Sequence, residues 1–421
     1  MKRRDFIKNT ALSAVVMPQL FKGFGVNAWA NSPILEALSL ENDGILVLVR
    51  LEGGNDGLNT VIPLDQYGPL SMARKNILIP EKKVLRLRGF DKTGLHPSMT
   101  GMQQLFNEGK LGIIQNVGMT TPIFSHFRAT DVWMSGSAPD TVLTSGWVGR
   151  YLQNQNPEFP KTYATAPLAI EIGGNASLTF QGVKANMAMS VTNPTDFYNL
   201  LNNTRPTLPD SKIGNKLAHL RLIHDQTRRY TETVKAAAEK VKNQAPYPAD
   251  NELAEQLKIV ARLIAGGLPT RIYMVNLSGF DTHDYQVEYN DHTTGKHAEL
   301  LKRVSDSIAA FVKDLAFLKI EKRVTGLTFS EFGRRITDNA SMGTDHGAAA
   351  PMFVFGANVK SGILGKNPLV PEKATIEDNV AMQHDFRAVY ASVLRGSLGA
   401  KASELPIVLK ENLPILPIFK S

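Results

Sequence analysis

The 421-residue chain contains no cysteine. That absence excludes a cysteine nucleophile, a thiolate metal site and an iron–sulfur cluster. It also means that no disulfide supports the fold, which must rest on a core that a chain of this length can bury unaided. Long apolar runs are missing too. The stretch from Ala11 to Val26 is the nearest approach, and Pro18, Lys22, Gly23 and Gly25 interrupt it, so it is too short and too broken to span a bilayer. There are no internal repeats and no low-complexity tract. Hydrophobic residues make up 43% and charged residues 20%, an ordinary globular composition.

The formal net charge is +8, but much of it belongs to the N-terminus. Beyond residue 30 the chain carries 42 basic against 38 acidic side chains, about +4. The remaining excess is scattered, and Lys82–Arg88 alternates like a strand with one solvated face, so no nucleic-acid partner is expected. Residues 1–30 read as an export signal. Lys2-Arg3-Arg4-Asp5-Phe6-Ile7-Lys8 gives the charged start, an apolar stretch follows, and Ala28-Trp29-Ala30 supplies a small-x-small cleavage site. The paired arginines match the twin-arginine signal, which makes the twin-arginine machinery an expected partner and a periplasmic or otherwise exported location the expected destination. After signal removal no transmembrane segment is expected.

Apolar runs that read as strands lie at Ile45–Leu51, Leu111–Val117, Leu168–Ile172, Arg271–Leu277, Val324–Phe329 and Met352–Phe355. Helical periodicity runs through about 212–242, 251–266 and His297–Leu318. Strands alternating with helices predict an α/β fold, a mostly parallel central sheet with helices on both faces. Residues 136–210, rich in Asn, Thr, Pro and Gly, read as a loop-rich cap inserted into one domain spanning about 40–400, with 401–421 as a C-terminal tail.

Chemistry gathers where strands end. Glu52-Gly53-Gly54-Asn55-Asp56-Gly57, Gly279-Phe280-Asp281-Thr282-His283 and Ser330-Glu331-Phe332-Gly333-Arg334 each follow an apolar run, and Gly343-Thr344-Asp345-His346-Gly347 leads into another. Ligands of open α/β sheets sit beyond the carboxyl ends of the strands, so repeated strand-then-acid units predict one convergent site. Asp281 and His283, two apart, share a side in extended backbone. Asp56 is either a ligand or the cap of a helix after its glycine turn. Ser125, where a helix would begin, is either that helix's cap or a nucleophile, with Arg128 one turn on to meet an oxyanion. Glu331 would be a ligand beside a cation, and Arg334 would hold a planar anion. Asp345 is a ligand or the partner that orients His346. His96 and His126 are further pocket candidates, and His292 and His297 read as solvated. Oxygen and imidazole donors without sulfur suit Zn, Mn, Mg or Ca, as one or two divalent ions.

With Gly-Leu-His-Pro (94–97), Ser-His-Phe-Arg-Ala-Thr-Asp (125–131), Gly-Trp-Val-Gly-Arg-Tyr-Leu (146–152) and Asp385-Phe386-Arg387, these motifs resemble the exported domain-of-unknown-function 1501 family over about residues 40–400. That family in turn resembles the alkaline phosphatase and sulfatase superfamily, an α/β fold with two metal positions. The resemblance implies one position formed by Asp56, Ser125 and Glu331 and another formed by Asp281, His283 and His346. Three departures stand out. Glu331-Phe332 replaces the usual Asp-His, the Asp281–His283 spacing is narrow, and Ser125-His126-Phe127-Arg128 lacks the proline that marks sulfatase maturation. The expected activity is metal-dependent hydrolysis of a small anionic phosphate or sulfate ester by a metal-activated Ser125. The alternative is a non-catalytic exported binding or assembly protein on a degenerate hydrolase fold.

Overall fold

Strand β1, Ile45–Glu52, reads Ile-Leu-Val-Leu-Val-Arg-Leu-Glu, nearly continuous apolar sequence of the kind a strand needs when both its faces are covered. The computed structural model describes residues 43–174, 176–201 and 229–420, and in it β1 is the centre of the sheet. Its neighbours, β8 (Ile272–Ser278) and β9 (Val324–Phe329), both run parallel to it.

On the far side of β8 lie β6 (Ala169–Ile172) and β7 (Ala188–Val191), also parallel. Beyond β9 comes β10 (Ala350–Phe355), antiparallel both to β9 and to β5 (Leu111–Gly118). Two reversals make β5 parallel to β1. Short strands β11 (Gly362–Leu364) and β12 (His384–Asp385) pair with β5 and complete nine strands. A separate three-stranded sheet joins β2 (Val61–Pro63), β3 (Leu85–Leu87) and β4 (Phe90–Leu95). The sheet is therefore mixed and mostly parallel, as expected.

The period of two along β1 assigns its side chains to two cores. Val47 and Val49 join Val260, Ile308 and Phe311 on one face, whereas Leu46 and Leu48 join Val132, Trp147 and Tyr390 on the other. Each such buried side chain contributes roughly 1.5–3 kcal/mol. The first face is covered by α1 (Thr100–Asn107), α4 (Glu252–Ala265) and α5 (Lys296–Phe317). The second is covered by α2 (His126–Ser135), α3 (Trp147–Gln155) and α6 (Phe386–Gly396). Helix α5 follows its predicted stripe closely, with Leu301, Val304, Ile308, Phe311, Val312 and Leu315 all buried.

Two expectations of organisation differ from what is seen. The described part of 136–210 supplies α3, β6 and β7, so it builds the edge of the sheet rather than a cap above it. The expected strand Leu168–Ile172 is β6, whereas β7, four residues long and carrying Ser190, is too short and polar to stand out from the loops around it. The tail 401–421 is packed, with Leu405, Val408, Leu409 and Ile418 buried and Lys360 N donating to Ile418 O. Gly44–Ser421 pack as one unit. Of the 212–242 helix, 229–240 is described as helical, and the export signal at 1–30 lies outside the described residues.

Candidate metal centre

Because β1, β5, β8 and β9 are parallel and β10 is antiparallel, the carboxyl ends of the first four and the start of β10 lie along one sheet edge. That edge receives all the motif loops. Two glycines let them approach. A Cβ on Gly53 (φ +124°) would lie 2.3 Å from Asp281 N, and one on Gly54 (φ +82°) 2.3 Å from the Phe332 ring.

Arg334, 1% exposed, fastens the loops together. Its Nε donates to Gly54 O (2.8 Å), Nη1 to Thr344 O (2.6 Å), and Nη2 to Gly53 O (2.6 Å), Phe280 O (3.1 Å) and Asp281 Oδ1 (2.6 Å). The expected role of holding a substrate anion is therefore corrected. Its guanidinium is used on carbonyls and on Asp281. Arg128 also departs from expectation, since its Nη2 donates to Pro139 O (2.8 Å) and Thr141 O (2.9 Å) and so ties down the loop after α2.

Three imidazoles surround Asp281, and each has its Nδ1 on a group that only accepts. His346 Nδ1 meets Phe124 O at 2.6 Å, His283 Nδ1 meets Asp345 Oδ1 at 3.1 Å, and His126 Nδ1 meets Glu331 Oε1 at 2.9 Å. A carbonyl or carboxylate cannot donate, so each Nδ1 carries a proton, which leaves Nε2 as the ring atom whose lone pair a metal would take. Those atoms converge. His283 Nε2 and His346 Nε2 are 2.8 Å apart, and Asp281 Oδ1 lies 3.2 and 3.3 Å from them. His126 Nε2 lies 3.4 Å from Asp281 Oδ2, yet it is buried and makes no hydrogen bond among the described residues. The ligand atoms of His126, Asp281 and His346 all fall within 4.8 Å of one another.

Ligand atoms of His126, Asp281 and His346 gathered within 4.8 Å, with His283 Nε2 beside His346 Nε2, are stabilised by a cation that joins them. The donor set therefore fits a divalent metal, and each histidine already has the second partner that fixes its tautomer. The electrostatics agree. Burial opposes ionisation of Asp281, but the Arg334 guanidinium beside it favours the carboxylate, which is held at about 2. Burial lowers the His346 pKa below its ordinary value, against the pull of the Phe124 carbonyl, and so favours the neutral ring.

Of the expected ligands, Asp281, His283 and His346 come together. His126 joins them rather than serving as a remote pocket residue. Glu331, 3% exposed, stands behind it, with Oε1 accepting from His126 and from Gly53 N (2.9 Å). Asp345 orients His283, not His346. Asp56 is not in the cluster. It is fully buried, and its oxygens accept from Arg74 Nη1 at 2.6 and 2.9 Å, from Gln286 Nε2 at 2.6 Å and from Leu58 N at 3.3 Å. Asp56 thus caps the turn Gly57–Thr60 and neutralises a buried arginine. Phe332, in place of an imidazole, packs its ring against His126 (4.8 Å) and His346 (4.6 Å).

Ser125 is the N-cap of α2 and is exposed, and its hydroxyl makes no hydrogen bond among the described residues. It sits between Phe124 and His126, both of which touch the cluster. His96 is structural. It is buried, accepts from Ser98 N (3.1 Å), and is pushed down to about 3 by burial and by His297. His297 is not solvated as expected but buried, with Nε2 3.0 Å from Asn55 Oδ1. His292 sits at the surface margin with Nδ1 on Leu78 O at 3.1 Å. No local signal marks Arg74, which ends an unremarkable helix eighteen positions from its partner.

A family model described as "Protein of unknown function (DUF1501)" matches residues 45–394. No curated protein matches the chain. Among solved structures, it is similar to the C-terminal periplasmic domain of EcEptC from Escherichia coli in complex with Zn, at 10% identity and TM-score 0.34, covering 76% of this chain and 74% of that one. A protein in the alkaline phosphatase superfamily from Vibrio parahaemolyticus gives 11% identity and TM-score 0.36, covering 76% of this chain and 62% of that one. The PsFucS1 sulfatase from Pseudoalteromonas sp. gives 12% identity and TM-score 0.39, with 91% and 73% covered.

Proposed function

Since the chain belongs to the family of proteins of unknown function DUF1501, a description that fixes no reaction, we propose from the chemistry of the site that it is a metal-dependent hydrolase of phosphate or sulfate esters with one divalent ion. One observation carries this reading. The ligand atoms of His126, Asp281 and His346 lie within 4.8 Å of one another, His283 Nε2 stands 2.8 Å from His346 Nε2, and the buried Nε2 of His126 has no hydrogen-bond partner among the described residues. Three imidazoles and one carboxylate suit zinc better than magnesium or calcium, which favour oxygen. A bound ion of this kind polarises an ester oxygen and activates a coordinated nucleophile.

The chain's own residues supply the rest. Ser125 is the candidate nucleophile, with an exposed hydroxyl free of internal hydrogen bonds at the start of a ten-residue helix. The first N–H groups of α2 favour an anion there, a role that falls to them because Arg334 and Nη2 of Arg128 are bonded to protein groups. Glu331, Asp345 and the Phe124 carbonyl hold the three rings in their tautomers and orientations.

The engagement of both arginines, together with Phe332 in an imidazole's place, favours a second reading, a non-catalytic binding or assembly protein. Metal-loaded protein assayed against p-nitrophenyl phosphate, bis(p-nitrophenyl) phosphate and p-nitrophenyl sulfate separates the two. Turnover that Ser125→Ala abolishes without loss of metal supports the hydrolase. A loaded protein that turns over none of them supports the binding role. The paired Arg3-Arg4 motif supports export by the twin-arginine route to the periplasm, and among the described residues no helix is long and apolar enough to cross a membrane. Lysine replacement of both arginines should retain the protein inside the cell.

A further inference from the structure

Beside the metal centre lies a cleft of about 160 Å³ lined mostly by apolar residues, among them Met119, Ile123, Phe332 and Val380, with Thr120 and Asn379 as its polar members. None of its lining residues carries a charge. It shares a wall with the site. The Phe332 ring that faces the cleft also packs against His126 and His346, Gly347 follows His346, and Ile123 precedes Phe124, whose carbonyl accepts from His346. The cleft therefore abuts the centre through Phe332, Gly347 and Ile123, next to the position of a bound ester.

We propose that this cleft is the specificity subsite of the centre and takes an uncharged, apolar substituent of the substrate, about the size of a phenyl ring, attached to the group held at the metal. The proposal rests on the hydrolase reading for the position of the ester. An apolar space of about 150 Å³ is enough for benzene. Chemistry at the rim excludes a charged substituent, because a carboxylate or ammonium entering this cleft would lose its hydration without meeting a counter-charge. An apolar ring entering it instead loses only unfavourable contact with water.

The test is calorimetric binding of methylphosphonate and phenylphosphonate to the full metal-loaded protein, with turnover not required. Phenylphosphonate should bind roughly tenfold tighter or more, the gain expected from burying a ring. Ala381→Trp, on a lining residue at the exposed mouth of the cleft, should bring the ratio of the two affinities close to one. Equal affinities in the wild type, no binding of either compound, or an undiminished ratio in Ala381→Trp would each overturn the proposal. Failure of the hydrolase reading looks different, since the phenyl preference would persist while every ester went unhydrolysed.

Discussion

Replacing Asp56 by asparagine tests whether this residue is a counter-ion or a ligand. Asp56 and Arg74 are both fully buried, and the shortest contact between them is 2.6 Å. Arg74 is otherwise bound to Ile336 O at 2.8 Å and Arg335 O at 2.7 Å, so it cannot swing out to water when its partner goes. Removing one member of a buried pair strands the other charge and costs about 3–5 kcal/mol. An asparagine keeps one acceptor for Arg74, which places Asp56→Asn near the lower end, about 3 kcal/mol.

Equilibrium urea unfolding measures this, and metal analysis of the same sample should still find one ion per chain. A loss under about 1 kcal/mol, or loss of the ion, would refute the assignment. The pH dependence supplies an independent arm. Burial opposes ionisation of Asp56, but Arg74 outweighs it, so the folded pKa is depressed. The contribution is then fully present above the unfolded value of about 3.9 and is lost as pH falls through the folded value. Asp56→Asn should flatten the stability curve of the wild type below about pH 4.

Two other substitutions probe how the centre is held. Glu331→Gln keeps the shape but replaces the carboxylate that fixes the His126 tautomer, and metal affinity measured by chelator competition should fall about 10–100-fold with the fold intact; an unchanged affinity would remove His126 from the ligand set. Gly54→Ala adds a Cβ 2.3 Å from the Phe332 ring at a backbone φ of +82°, so it should lower stability by more than about 1 kcal/mol in thermal unfolding, whereas a neutral effect would mean that the loop is not held as described.

The central strands were legible because burial on both faces demands continuous apolar sequence, which Ile45–Leu51 and Val324–Phe329 display. β6 was legible too, within the run Leu168–Ile172, but β7 was not, since Ser190 is polar and only pairing with β6 defines it. Asp281, His283 and His346 stood out as acid or imidazole beside glycine at strand ends, a local signal. The misreadings involve partners outside the motif in which each residue sits, from ten to more than two hundred positions away. Asp56 looked like a ligand until Arg74 was seen to bind it. His126 was underrated because the direction of its Nε2 depends on Glu331, 205 positions away. Arg334 looked free because its carbonyl partners come from three separate loops.

Metal content is the most direct test of the centre formed by His126, Asp281, His283 and His346. Protein exported by its own route and purified without chelator should carry one zinc-like ion per chain, with three imidazole nitrogens and carboxylate oxygen in its X-ray absorption spectrum. His126→Ala and His346→Ala should each lose most of that ion while remaining folded by circular dichroism. Two ions per chain, or a full complement of metal in both variants, would contradict it.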